Sequence, residues 1–186
     1  MKNRDYSLFL DMDGVLVDFE GGFKSLSNGM KSGEMANKYG EKVVQSQFLS
    51  AGIEFWANLN WINGGKELWN ASKELFEKVY ILSSSGTTDP MKGKTVREGK
   101  ILWLQKNIPD MPEQNIFVVN GKHMKKTKAS RDGILVDDVA ITIKEWNAAG
   151  GYGILHNNKY YKSTIETLED ISRPLNLSEI MKRRKH

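Results

Sequence analysis

The 186-residue chain contains no cysteine, which excludes disulfides, thiol nucleophiles and cysteine-ligated zinc. Its three histidines, His123, His156 and His186, stand far apart and form no metal-ligand spacing. Any metal is therefore expected to be a hard, oxygen-bound ion such as Mg²⁺. No apolar run approaches membrane-spanning length, and Met1-Lys2-Asn3-Arg4-Asp5 leads straight into an apolar stretch without a signal-type core. The expectation is a soluble, cytoplasmic protein with no membrane partner. Internal repeats and low-complexity linkers are lacking too. What is present is ordinary globular composition, 39% hydrophobic and 10% aromatic, enough for one domain with a full core and a small insertion.

Short apolar runs alternate with helix-period segments. Strands are predicted at Tyr6 to Leu10, Lys78 to Leu82, Ile116 to Val119, Ile134 to Val136 and Tyr152 to Leu155. Between them, Lys66 to Glu77 places Leu68, Trp69, Ser72, Leu75 and Phe76 on one helical face. Arg97 to Asn107 does likewise and stops before Pro109, and Ala140 to Ala149 ends at Gly150-Gly151. The tryptophans on these helices read as core residues. This alternation predicts an α/β fold, a Rossmann-like parallel sheet of about five strands with helices on both faces. Residues 21–54 break the pattern. Leu26 to Gly33 is rich in Ser, Gly and Asn, and Glu34 to Leu49 is an amphipathic helix candidate carrying Met35, Tyr39, Val43 and Phe48. The expected organisation is a core of residues 1–20 and 55–186 with a small helical cap, 21–54, inserted after the first strand. A crossover packed on the sheet fits the same residues.

The most informative stretch is Asp11-Met12-Asp13-Gly14-Val15-Leu16-Val17-Asp18, directly after Leu8-Phe9-Leu10. Strand period two aims Asp11 and Asp13 the same way while Met12 turns into the core. Gly14 permits a sharp turn where a side chain would crowd a ligand. Two such carboxylates can share a metal, one serving as nucleophile toward phosphorus and the other as acid and base. Alone, the octet also fits an Asp-Gly turn with solvated acids.

Three further features fall where strands should end. Ser83-Ser84-Ser85-Gly86-Thr87 offers hydroxyls and backbone N–H groups to phosphate oxygens. Lys122 to Lys128 offers ammonium groups that can offset charge on a transferring phosphoryl group. Asp137-Asp138 closes the run Ile134-Leu135-Val136, and adjacent carboxylates at a buried strand tip repel unless a cation neutralises them. In an open parallel sheet the strand C-terminal ends share one edge, where ligands bind. Gly93-Lys94-Thr95 imitates the end of a P-loop, but Thr88 stands where that motif needs glycine. The formal net charge is +4, with basic residues gathered at Lys122 to Arg131 and in the tail Lys182-Arg183-Arg184-Lys185. That field suits a phosphorylated substrate or nucleic acid, although a solvated loop and a frayed terminus are the plainer account, above all for the tail.

This ordered set, Asp-x-Asp-Gly-Val, then a strand-end Ser, a Lys and a strand-end Asp-Asp, resembles the haloacid dehalogenase superfamily of aspartate-nucleophile phosphatases. The resemblance spans Tyr6 to Leu155. Within that superfamily, Asp11 through Phe23 and Lys100-Ile101-Leu102-Trp103 with Lys106 look most like the 5'(3')-deoxyribonucleotidases. The resemblance implies that Asp11 attacks phosphorus and becomes an aspartyl-phosphate. Asp13 would protonate the leaving oxygen and then activate water. Ser83 would hold the phosphate, with Ser84 beside it and Lys100 nearby, and Lys126 best fits the third motif, with Lys125 or Lys128 as one-shift replacements. Mg²⁺ would be held by Asp11, the Asp13 backbone carbonyl and Asp138, with Asp137 orienting from behind. Phe19 would line the substrate pocket. The cap segment is shorter than in those nucleotidases and shows no clear aromatic counterpart to their base-stacking residues, and Ser83-Ser84 replaces a usual Thr-Ser.

The implied activity is Mg²⁺-dependent hydrolysis of nucleoside monophosphates, with a small phosphorylated molecule as partner. A 3'-phosphatase acting on nucleic-acid ends is the enzymatic alternative, motivated by the small cap and basic segments. A non-catalytic protein that binds a phosphorylated ligand on the same fold is the alternative of another class.

Overall fold

A computed structural model of the chain describes residues 2–173. Five strands, β1 (Asn3–Leu10), β2 (Phe76–Ser84), β3 (Ile116–Val119), β4 (Gly133–Asp137) and β5 (Tyr152–Leu155), form one sheet in the order β3-β2-β1-β4-β5. Every pairing is parallel, so the Rossmann-like α/β fold stands as expected. Leu10 pairs with Ile81 on one side and Val136 on the other. The chain therefore leaves β1 level with the last turns of both neighbouring strands.

Period two in β1 sorts the core onto two faces. Leu8 and Leu10, with Val79, Ile81, Ile134 and Val136, pack toward α5 (Gly65–Leu75), α6 (Lys94–Asn107) and α8 (Tyr161–Ser172) through Leu68, Trp103, Leu104, Leu168 and Ile171. Phe9, Leu82 and Leu135 face the other side, against Ile143 and Trp146 of α7 (Ala140–Ala148). The tryptophans are core residues: Trp103 and Trp146 are fully buried, and each indole N–H donates to a backbone carbonyl, of Leu59 and Gly133 respectively. Among the described residues no helix is long and apolar enough to cross a membrane.

Residues after β1 form four helices, α1 (Phe19–Leu26), α2 (Ser32–Tyr39), α3 (Glu41–Ser50) and α4 (Ile53–Ala57). Phe23, Met35 and Val44 make a small hydrophobic cluster of their own, distinct from the two sheet-facing ones. The single helix expected over Glu34 to Leu49 is two, because Gly40 adopts a positive φ of 90° between them. That break resets the helical phase, so Val44, not Val43, turns inward with Phe48, and Tyr39 and Val43 are exposed. The helix predicted at Lys66 to Glu77 ends at Leu75, since Phe76 already belongs to β2. Helices α1 and α8 were not expected from periodicity. The basic tail Lys182 to Lys185 lies outside the described residues.

Candidate active site

Asp11 continues β1 beyond its last ladder pair, held by its own N–H donating to the Val136 carbonyl at 3.0 Å. Its carboxylate accepts from the Met12 N–H at 2.7 Å and lies 2.8 Å from Lys125 Nζ. The chain then turns tightly: the Leu16 and Val17 N–H groups both donate to the Met12 carbonyl. Gly14 takes φ +74°, and a Cβ there would sit 2.1 Å from Asp138 Oδ2. The glycine thus admits the Asp138 carboxylate against the turn, which ties the ends of β1 and β4 into one site.

Four carboxylates and two lysines share this place. Lys125, 2% exposed, bridges Asp11 and Asp137 at 2.8 and 2.6 Å. Lys100, 1% exposed, donates to Asp13 Oδ2 at 2.6 Å, to Ser83 Oγ at 2.9 Å and to the Ser84 carbonyl at 2.8 Å. Its three donors are all used within the protein, while its charge lies 5.2 Å from the centre of the Trp56 ring. The other Asp13 oxygen, Oδ1, is buried without a hydrogen-bond partner.

The electrostatics follow from this crowding. Burial raises the Asp13 carboxyl above the usual carboxylate range, opposed by Lys100 and assisted by Asp11. Burial and then Asp11 raise Asp137 as well, with Lys125 opposing. Asp138 opens onto the cavity, yet its walls withdraw it from bulk water. Burial, Asp11 and Asp137 together push it up to about 7. Burial works against the Lys125 charge, but Asp11 and Asp137 outweigh it and hold the ammonium above its ordinary range.

Carboxylate oxygens of Asp11, Asp137 and Asp138 lie within 4.8 Å of one another. The set is all oxygen, and with every carboxylate ionised the two buried lysines leave two negative charges uncompensated. A hard divalent cation such as Mg²⁺ fits that donor chemistry and that charge. Asp11 and Asp138 line the cavity, whereas Asp137 is fully buried and does not. Asp11 and Asp138 are therefore the better placed ligands, with Asp137 behind them.

Asp11, Asp13, Asp138 and Lys125 floor a cavity of about 850 Å³. Phe19 lines it, stacked on Trp56 with ring centroids 5.5 Å apart, and Phe48 meets both rings edge-on. The lining also includes Thr88, Lys92, Lys122 and His123. From α3, the Gln45 amide donates to the Gly86 carbonyl at 2.7 Å, and a Cβ on Gly86 would sit 2.6 Å from the Phe48 ring.

Two expected residues are displaced. Ser83 is fully buried and does not line the cavity; its hydroxyl meets Lys100. Strand period two points Ser83 toward α6 with Ile81, and it is Ser84 that faces the cavity. The lysine brought to the carboxylates is Lys125, not Lys126. Residues Lys122–Lys128 coil as a 3₁₀ helix that turns Lys125 inward, and Lys126 is half-exposed, 3.7 Å from Glu145. Lys128 sits 4.1 Å from the centre of the Phe117 ring. Lys125, Lys126 and Lys128 thus go to three different partners. Trp56 and Phe48 had no assigned place in the pocket; the i, i+4 pair Val44 and Phe48 was the signal for the latter.

No protein-family model matches the chain, and no curated protein is similar to it. Solved structures similar to it include a hydrolase from Pseudomonas syringae, with 16% identity over 88% of this chain and 90% of that one and a TM-score of 0.47. A HAD-superfamily hydrolase, subfamily IA, variant 1, from Geobacter sulfurreducens PCA shares 14% identity over 88% and 96%, with a TM-score of 0.49. A HAD family enzyme from Bacteroides thetaiotaomicron, in complex with magnesium, shares 15% over 82% and 93%, with a TM-score of 0.43. Likeness of this extent does not establish a family. The fold rests on strand order and register.

Proposed function

We propose that the chain is a Mg²⁺-dependent phosphomonoesterase that hydrolyses nucleoside monophosphates through an aspartyl-phosphate on Asp11. The observation that carries this reading is the cluster at the cavity floor, where four carboxylates and two buried lysines leave two negative charges, the charge that one divalent ion balances. An Asp11 oxygen forms the bond to phosphorus as the ester P–O bond breaks, and Asp13 gives its proton to the departing oxygen. Asp13 then takes a proton from water, whose oxygen displaces Asp11 and releases inorganic phosphate. Burial keeps Asp13 easier to protonate than a free carboxylate, which suits an acid that must also act as base. Asp11 and Asp138, with the Asp13 backbone carbonyl, would hold Mg²⁺, which when bound screens the repulsion between an anionic nucleophile and an anionic ester. Lys125 holds the nucleophile in place, Lys100 holds Asp13, and Ser84 offers a hydroxyl to the phosphate.

The aromatic rings of Phe19, Phe48 and Trp56 support a leaving group with a flat ring to stack, such as the base of a nucleoside. Residues 21–54 act as a cap over a core of residues 1–20 and 55–186. Their separate cluster and the Gln45 bond to Gly86 support that division. The test is phosphate release from a panel of 5'- and 3'-mononucleotides with Mg²⁺, with EDTA, and with the Asp11→Asn protein. Selective, metal-dependent release that vanishes in Asp11→Asn is expected. Full metal-dependent turnover by the variant would overturn the nucleophile assignment.

A further inference from the structure

The cavity walls differ in a way that hydrolysis of a simple monoester does not require. One wall is aromatic. The other is built from two segments that abut where Gly121, at φ +84°, lies so close to Thr88 that a Cβ would sit 3.1 Å from its methyl. Arg97 fixes this junction, its guanidinium donating to Asn120 Oδ1 beside the glycine and to the Val118 carbonyl. Lys92 and Lys122 therefore belong to one surface.

The charges on that surface are not consumed inside the protein. Lys125 is committed to Asp11 and Asp137, and Lys100 to Asp13. Lys122 has no ion-pair partner among the described residues, and Lys92 has only Asp89, 3.9 Å away at an exposed position. Asp89 takes the Met91 N–H on Oδ1 at 2.9 Å and meets Lys92 through Oδ2. The adjoining helix α7, reached through the 2.8 Å contact of His123 with Glu145, adds Thr142 to the lining. That residue is 3% exposed, and its hydroxyl has no hydrogen-bond partner among the described residues. Lys122, with no ion pair, and Lys92, with only an exposed one, thus line a cavity whose two buried lysines are already committed to carboxylates.

From this arrangement, and resting on the phosphomonoesterase reading, we infer that the preferred substrate carries a second phosphate, ester or diester, on the same organic residue, recognised by Lys92 and Lys122. A small bisphosphate and the phosphorylated end of a nucleic-acid strand both present that chemistry.

The test has a binding arm and a turnover arm, each on a nucleoside 5'-monophosphate, the matching 3',5'-bisphosphate and a short 3'-phosphorylated oligonucleotide. Binding is measured by calorimetry on full-length Asp11→Asn protein with Mg²⁺, and turnover as kcat/KM on the native protein. The bisphosphate is expected to exceed the monophosphate roughly tenfold in both at low salt, and less at high salt, as exposed ammonium groups are screened. Lys92→Gln with Lys122→Gln should bring that ratio toward one, while Lys162→Gln on α8 leaves it unchanged. A further gain for the oligonucleotide assigns the second phosphate to a strand, and none assigns it to a small molecule. A ratio near one in the binding arm overturns the inference whether or not turnover occurs. Absence of metal-dependent phosphate release from all three, with the binding ratio intact, overturns the phosphomonoesterase reading instead.

Discussion

Replacing Lys125 by methionine keeps the volume of the side chain and removes its charge. Lys125 is buried between Asp11 and Asp137 at 2.8 and 2.6 Å. At an effective dielectric of about 20, each contact represents roughly 6 kcal/mol of raw attraction. Desolvation of the partners cancels most of that, and breaking a buried pair costs about 3–5 kcal/mol because a carboxylate is left without its cation. The lower end applies here, since these carboxyls can escape by taking up protons: Asp137 is raised already and Asp138 stands at about 7. Without Lys125 their folded values rise further above the unfolded ones. A carboxyl raised in the folded state costs nothing below its unfolded value and costs progressively more as pH climbs through its folded value. The variant should therefore match the native protein within about 1 kcal/mol near pH 4.5 and fall about 3 kcal/mol below it near pH 8. Urea denaturation across that range, without metal, measures the difference. Adding Mg²⁺ at the higher pH should restore part of the loss. A deficit of equal size at every pH would mean that Lys125 serves packing alone, and no deficit near pH 8 would refute the electrostatic account.

Three further outcomes follow from the same geometry. Mg²⁺ at about a hundredfold its dissociation constant should raise stability by about 2.7 kcal/mol near pH 8, and Asp138→Asn should abolish most of that gain in a thermal melt. His156 is buried and held down to about 4 by desolvation, against an ordinary value of 6.5. A depressed histidine lends stability above its unfolded value and loses it as pH falls, so between about 6.5 and 4 stability should drop by up to about 1.4 kcal/mol per pH unit. His156→Gln should flatten that slope in paired urea titrations, and an unchanged slope would count against it. Gly86→Ala forces a side chain onto a backbone at φ +74° and into the Phe48 ring. It should cost about 1–3 kcal/mol and raise KM more than it lowers kcat, because it pushes α3 from the cavity mouth without touching the carboxylates.

Much of the fold was legible because it is written in short-range pattern. Strand cores from Tyr6, Lys78, Ile116, Ile134 and Tyr152 lie where apolar runs stand between turn residues, and each is a strand in the sheet. The acidic half of the site was legible for the same reason, since a carboxylate at a strand tip has only the sheet edge to occupy. What the pattern did not carry was phase. Gly40 interrupts a helix whose apolar residues look continuous, and its positive φ exchanges Val43 for Val44 on the inner face. Four lysines in seven residues differ in sequence by nothing that charge can separate, and only the fold shows Lys125 as the one buried against Asp11 and Asp137.

Ser83 shows why such errors cluster at the site and not in the core. A core position tolerates a shift of one residue poorly, because a one-residue slip sends every side chain to the other face. The apolar pattern therefore specifies Ile81 and Leu82 without ambiguity. Past the last apolar residue nothing constrains which serine is which, for Ser83, Ser84 and Ser85 are chemically identical. Their roles are assigned by alternation: Ser83 goes to Lys100 on the α6 side, and Ser84 to the cavity. Lys100 in turn carries no charge pattern of its own on α6, where its neighbours Gly99 and Trp103 are buried for packing. The family resemblance set it near the phosphate, and the fold shows its ammonium on Asp13, Ser83 and the Ser84 carbonyl. Sequence pattern thus identified the groups anchored to strand tips, and the contacts made by groups that reach the tips from elsewhere required the fold.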